Sequence, residues 1–160
     1  MATEIERKFL VVNDDWQTNV SESFRLVQGY LTQGGDRSVR VRTKAGGKAF
    51  LGIKSSANGI TRKEYEYPIP YDEALEIIEY DAIKPVVDKV RHEVVVGDHT
   101  WEIDVFSGDN EGLVVAEIEL KSEDEIFEKP GWLGEEVSTD PRYYNMNLVM
   151  HPFSVCLLYT

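Results

Sequence analysis

The sequence predicts a β-dominated α+β fold: about eight antiparallel strands closed into a barrel, with a few flanking helices. Three observations carry this. Stretches of alternating side chains recur along most of the chain, and many are joined by short turns rich in Gly and Asp. Few stretches carry a helical signal. Successive strands also repeat one arrangement, with a pair of like charges on one face and Val, Ile, Leu, Phe or Tyr on the other.

The first strand spans residues 3–12 and puts Glu4, Glu6 and Lys8 on one face. Asn13-Asp14-Asp15 turns the chain into a short segment around Trp16. Residues 23–33 form the second strand, turned by Gly34-Gly35-Asp36. In the third, Arg40, Arg42 and Lys44 share a face opposite Val39, Val41 and Thr43, and Ala45-Gly46-Gly47 is a hairpin signal. Residues 48–54 set Lys54 against Leu51 and Ile53, and Ser55 to Gly59 is a polar loop. Residues 60–68 place Arg62, Glu64 and Glu66 opposite Lys63, Tyr65 and Tyr67, and Pro68 and Pro70 end that strand.

The first clear helix covers 72–80, with Asp72 as N-cap and Leu75 and Ile78 on its apolar face. A strand over 84–97 pairs Lys89 with Arg91, and Gly97-Asp98 turns it into a strand carrying Glu102 and Asp104. After the loop at residues 108–112, residues 113–121 pair Glu117 with Glu119. Ser122 to Glu125 has capping-box spacing and predicts a short helix. Gly131 to Val137 reads as irregular, and a last helix is expected from about Pro141 to Met150.

At 160 residues the chain is expected to form one domain, residues 1–160, large enough to bury a core. Acidic residues outnumber basic ones 29 to 17, a formal charge of -12, which argues against nucleic-acid binding driven by phosphate contacts. A small anion is still compatible, provided the basic residues converge. The single cysteine, Cys156, forms no internal disulfide, and the amino terminus has no apolar leader core. No apolar run reaches the roughly 20 residues that span a bilayer. A cytoplasmic protein that binds no membrane is the expectation. His92, His99 and His151 lack zinc-ligand spacing and read as surface or packing residues.

A merely solvated sheet face would carry mixed signs and many Ser, Thr and Gln. Strands that each carry one sign fit a barrel with its charges turned inward, where they must be paired or coordinated. Acidic pairs suit a hard divalent cation and basic pairs suit a polyanion. The pattern therefore points to a polyphosphate with Mg2+ or Mn2+, set against the plainer reading of a solvated charged face.

Glu4-Ile5-Glu6-Arg7-Lys8 matches the ExExK signature of the CYTH domain, or triphosphate tunnel metalloenzymes. The likeness continues through Gln28-Gly29-Tyr30-Leu31, Arg40-Val41-Arg42, Ile53-Lys54-Ser55, Glu64-Tyr65-Glu66, Asp88-Lys89-Val90-Arg91, Glu102 to Phe106, Val115 to Glu119 and Gly134 to Val137. The chain resembles most the short bacterial members that act as inorganic triphosphatases. The resemblance implies a metal-dependent enzyme cleaving inorganic triphosphate in an eight-stranded tunnel. Glu4, Glu6, Glu117 and Glu119 would bind metal, with Asp104 a further candidate. Lys8, Arg40, Arg42, Lys54, Lys89 and Arg91 would hold phosphates. Glu64 and Glu66 would orient the basic residues or serve a second metal.

For the chemistry, the resemblance suggests a Tyr30/Lys8 dyad that activates water, or Lys89 protonating the leaving phosphate. A phenol is a poor base unless cations lie beside it. Arg142 and Tyr143 would sit where the last helix closes one tunnel end. The same grip serves class IV adenylyl cyclases and thiamine or nucleoside triphosphatases, and a non-catalytic polyphosphate-binding protein is a further alternative. Apolar outer positions at Val39, Val41, Tyr65 and Tyr67 need cover, so a homodimer is expected.

Overall fold

A computed structural model describes residues 2–32, 37–55, 58–150 and 152–153. The predicted turn at Gly34-Gly35-Asp36 lies outside these residues, as do Gln33, His151 and Cys156. Nine strands are described: β1 (Thr3–Val11), β2 (Val20–Tyr30), β3 (Ser38–Lys44), β4 (Lys48–Lys54), β5 (Thr61–Pro68), β6 (Ile83–Val96), β7 (His99–Phe106), β8 (Val114–Leu120) and β9 (Leu133–Glu136). Helix α1 covers Tyr71–Tyr80 and α2 covers Asn145–Met150.

The strands run β5-β4-β3-β2-β6-β7-β8-β1, and β1 returns to β5 through Thr3 opposite Lys63 and Ile5 opposite Thr61. Eight antiparallel strands thus close on themselves as predicted, and closure leaves the barrel no free edge. The ninth, β9, pairs with the outer end of β1. Arg7 Nε donates to Glu136 Oε2 at 2.9 Å and ties the two together.

Because side chains alternate, the wall has an apolar outer face and a charged inner one. Outside β1, β7 and β8 the core gathers Phe9, Trp101, Ile103, Ala116 and Ile118, covered by Trp16 and Trp132. Trp101 is edge-on to Phe9, Phe127 and Trp132. Outside β3 and β4 the cover is α1, whose Ala74 and Ile78 pack on Val41 and Ala49. Val41 is therefore covered within the chain, whereas Tyr65 and Tyr67 stay exposed at 36% and 54%.

Gly29 faces α1, and a Cβ there would stand 2.6 Å from Ala82 Cβ and 3.3 Å from Ile78 Cγ1. Gly29→Ala is expected to destabilise the fold by about 1–3 kcal/mol by forcing the helix off the sheet. A urea melt checks this, and an unchanged midpoint would contradict it.

Several local expectations changed. The capping-box segment after Ser122 forms no helix. Glu125 instead accepts from Lys121 N at 2.7 Å and pairs with His99, while Phe127 is drawn onto the tryptophan core and Pro130 follows closely. Helix α1 begins at Tyr71, after Pro70, without a side-chain cap from Asp72. The stretch read as irregular contains β9. The last helix is split: Pro141–Tyr143 makes a 3-10 turn, capped by Asp140 accepting from Arg142 N, before α2.

Candidate active site

Toward one end of the barrel the inner face turns apolar. Leu10, Val87, Phe106 and Val115 lie on the inward faces of their strands and pack with Tyr30 against Leu148 and Val149 of α2. That helix plugs the end. Its approach is pinned by charge: Lys8 Nζ donates to the Tyr143 carbonyl at 3.0 Å, and the Arg62 guanidinium lies 5.5 Å from the Tyr144 ring centre. Arg142, by contrast, is at the surface, paired with Asp140.

Behind the plug is a cavity of about 750 Å³. The inner faces meet there by register: Glu6 opposite Glu119, Lys8 opposite Glu117, Glu102 opposite Glu117, Arg42 opposite Gln28 and Lys54 opposite Glu64. Carboxylates crowd the wall of β1, β7 and β8, and cations the wall of β3 and β4, with Glu64 and Glu66 of β5 paired to the latter. Counted among the described lining residues, seven carboxylates match seven cations. The overall excess of acid is therefore carried elsewhere, and the tunnel is locally balanced.

Most lining charges are already paired. Lys54 Nζ is 3.2 Å from Glu4, Lys8 Nζ 3.3 Å from Glu117, and Arg40 and Arg42 are 3.2 and 3.1 Å from Glu64 and Glu66. Arg40 also donates to the buried Gln28 Oε1 at 3.2 Å. Burial pushes Glu6 up to about 7, reinforced by Glu117 and Glu4 and opposed by Lys54 and Lys8. Burial likewise holds Glu102 at about 7 despite Arg91. Glu117 lies well below the usual carboxylate range, because Lys8, Arg91 and Lys89 outweigh its burial. The same contest raises Lys54, where Glu6, Glu4 and Glu64 outweigh desolvation.

The structure brings Glu4, Glu6, Lys8, Tyr30, Arg40, Arg42, Lys54, Glu64, Glu66, Arg91, Glu117 and Glu119 to this cavity. Lys89 and Asp104 it does not. Both are fully buried behind the lining, with Lys89 Nζ 2.8 Å from Asp104 Oδ2, and burial lowers Lys89 to about 8. In place of the expected dyad, Lys8 holds Glu117 and the Tyr143 carbonyl, while Tyr30 lies opposite Arg40 in the strand register. Glu102 and Arg62 also line the cavity; the resemblance assigned neither a role, although each shares an inward face with a residue to which it did.

The carboxylates suit a hard divalent ion. They offer only oxygen donors, and the charged form of Glu6 is disfavoured as it stands. Among the described residues, no three such groups are close enough to chelate an ion as placed. Glu4 and Glu117 are held by Lys54 and Lys8, so a metal at these two carboxylates competes with the lysines.

A closed β-tunnel with one acidic and one basic wall defines a class of protein built to hold a polyanion beside a cation. The chain belongs to the CYTH domain family, which matches residues 2–144. An inorganic triphosphatase of Acetivibrio thermocellus is 48% identical over 153 residues, covering 96% of this chain and 97% of that protein. An inorganic triphosphatase of Nitrosomonas europaea is 35% identical over 156 residues, covering 92% and 97%. A crystal structure of an inorganic triphosphatase superposes with a TM-score of 0.66 at 35% identity, covering 94% of this chain and 96% of that one. Among the described residues, no helix is long and apolar enough to cross a membrane.

Proposed function

We propose that this protein is a divalent-metal-dependent inorganic triphosphatase that cleaves tripolyphosphate to pyrophosphate and phosphate. The observation that carries the reading is the plugged tunnel with opposed acidic and basic walls. Arg40, Arg42, Lys54 and Lys8 would grip the phosphate oxygens, two of them through the planar guanidinium fork that matches phosphate geometry. Glu4, Glu6, Glu117 and Glu119 would hold Mg2+ or Mn2+. When bound, such an ion neutralises phosphate charge and acidifies a coordinated water.

Hydrolysis adds water oxygen to a terminal phosphorus and breaks its bridging P–O bond, whose electron pair leaves with pyrophosphate. The arginines stabilise the charge on the phosphoryl oxygens, and the carboxylate wall takes up the proton. Because the tunnel is charge-balanced, a polyanion bound without a compensating cation would leave the carboxylates facing it unpaired, which supports the metal requirement.

Phosphate release from tripolyphosphate, ATP and thiamine triphosphate, each with Mg2+ or Mn2+, tests the reading. Metal-dependent release from tripolyphosphate, lost in Glu4→Ala, is the expected result. Cyclic AMP formed from ATP would replace it with a cyclase, and the absence of turnover with every substrate would leave only a binding protein.

A further inference from the structure

Arg91 differs from the other lining cations in how many partners it has. Its Nε and Nη2 form a two-pronged contact with Asp104, at 2.8 Å to Oδ1 and 2.9 Å to Oδ2. Nη1 donates to Glu102 at 2.8 Å, and Nη2 reaches Glu117 at 3.5 Å. Of five N–H groups only one, on Nη1, is left for a ligand. Arg91 is therefore poorly placed to act mainly as a phosphate grip, but it spans two carboxylates of the acidic wall.

What fixes this orientation lies behind the wall. Asp104 is fully buried, and Lys89, also fully buried, closes on Asp104 Oδ2 while its Nζ sits 5.4 Å from the centre of the Phe106 ring. Asp104 thus takes both prongs of the guanidinium while the Lys89 ammonium donates to its Oδ2 from behind, which leaves the carboxylate little freedom to turn. Register supports the assembly, since Arg91 faces Asp104 and Glu102 faces Glu117 across adjacent strands.

We propose that Asp104 and Lys89 are positioning residues that lock Arg91 edge-on and thereby hold Glu102 and Glu117 as a preformed pair for the metal. The inference rests on the triphosphatase reading and goes beyond it. It removes Asp104 from the ligands and Lys89 from the groups that touch phosphate, and it adds Glu102 to the metal wall. Partners behind a metal site commonly tune affinity 10- to 100-fold.

The test is Asp104→Asn in the full chain, an isosteric change that keeps the volume but weakens both the fork and the lysine contact. Two quantities are measured: Mn2+ binding, followed by the paramagnetic resonance of the free ion, and the Mn2+ dependence of tripolyphosphate hydrolysis. About ten-fold weaker Mn2+ binding is expected, with an equal rise in the Mn2+ half-saturation for hydrolysis. KM for tripolyphosphate at saturating Mn2+ should stay within about three-fold.

Arg91→Lys covers the case in which the buried aspartate variant does not fold. A lysine is a point charge and cannot span three carboxylates, so it should show the same metal defect. Folded variants with unchanged Mn2+ affinity, or with a raised tripolyphosphate KM as the main defect, would overturn the proposal. Parent protein that neither binds Mn2+ nor hydrolyses tripolyphosphate would instead defeat the underlying function.

Discussion

Glu6→Gln is expected to abolish turnover, by at least about 100-fold, while making the ligand-free protein more stable. Glu6 lies on an inward face beside Glu117 and Glu4, and burial together with those neighbours pushes its carboxyl up to about 7 from an ordinary 4.5. The folded chain therefore holds this proton to a higher pH than the unfolded chain does. The stability it contributes is present below about pH 4.5, falls as pH rises towards 7, and is absent above that. Glutamine keeps the shape, removes the charge and abolishes that slope. We expect the variant to gain on the order of 1 kcal/mol at pH 8, less in high salt, because part of the repulsion is screened by solvent.

Thermal melts from pH 5 to pH 8, run beside phosphate-release assays, check both halves. A variant that is inactive and also less stable at pH 8 would mean that Glu6 is a structural partner and not a ligand held against its preference. A variant that retains activity would remove Glu6 from the metal set.

Metal and triphosphate are expected to raise each other's affinity by about 10- to 100-fold. In the ligand-free tunnel, Lys54 holds Glu4, Lys8 holds Glu117, and Arg40 and Arg42 hold Glu64 and Glu66. Triphosphate recruits the cations and releases their carboxylates, and the metal neutralises those carboxylates and releases the cations. Each ligand binding alone must break buried pairs without replacing one side, a cost of several kcal/mol per pair when a charge is left uncompensated.

Thermal shifts with Mn2+ alone, with an imido-bridged triphosphate analogue alone and with both together measure the coupling. A combined shift well above the sum of the two is the expected result. Additive shifts would sink the exchange and imply that the carboxylates rearrange independently of the cations.

Much of this was legible from spacing. A period of two in each strand fixes which residues share a face, so Glu4 with Glu6, Arg40 with Arg42, Glu64 with Glu66 and Glu117 with Glu119 could be assigned to one side before any partner was known. Barrel closure and inward charge followed, because a run of like charges is tolerated inside only when an opposite wall answers it. Elements whose form depends on remote contacts were not legible. The segment after Ser122 has local helix signals, but Phe127 is held by the tryptophan cluster and His99 takes Glu125. Strand β9 has no alternation of its own to reveal it and forms where β1 runs on past its pairing with β5.

The sequence by itself determined the inner and outer faces of the wall, the signs they carry and the family they belong to. Only the tertiary structure decided depth along the tunnel. Lys89 and Asp104 share their faces with Arg91 and Glu102, yet barrel closure and the packing of Phe106 place the first two out of reach of a ligand and the others at the cavity. Alternation sets which way a side chain points. How far it stands from solvent depends on strand stagger and on the helix that plugs the end, which join residues distant in the chain.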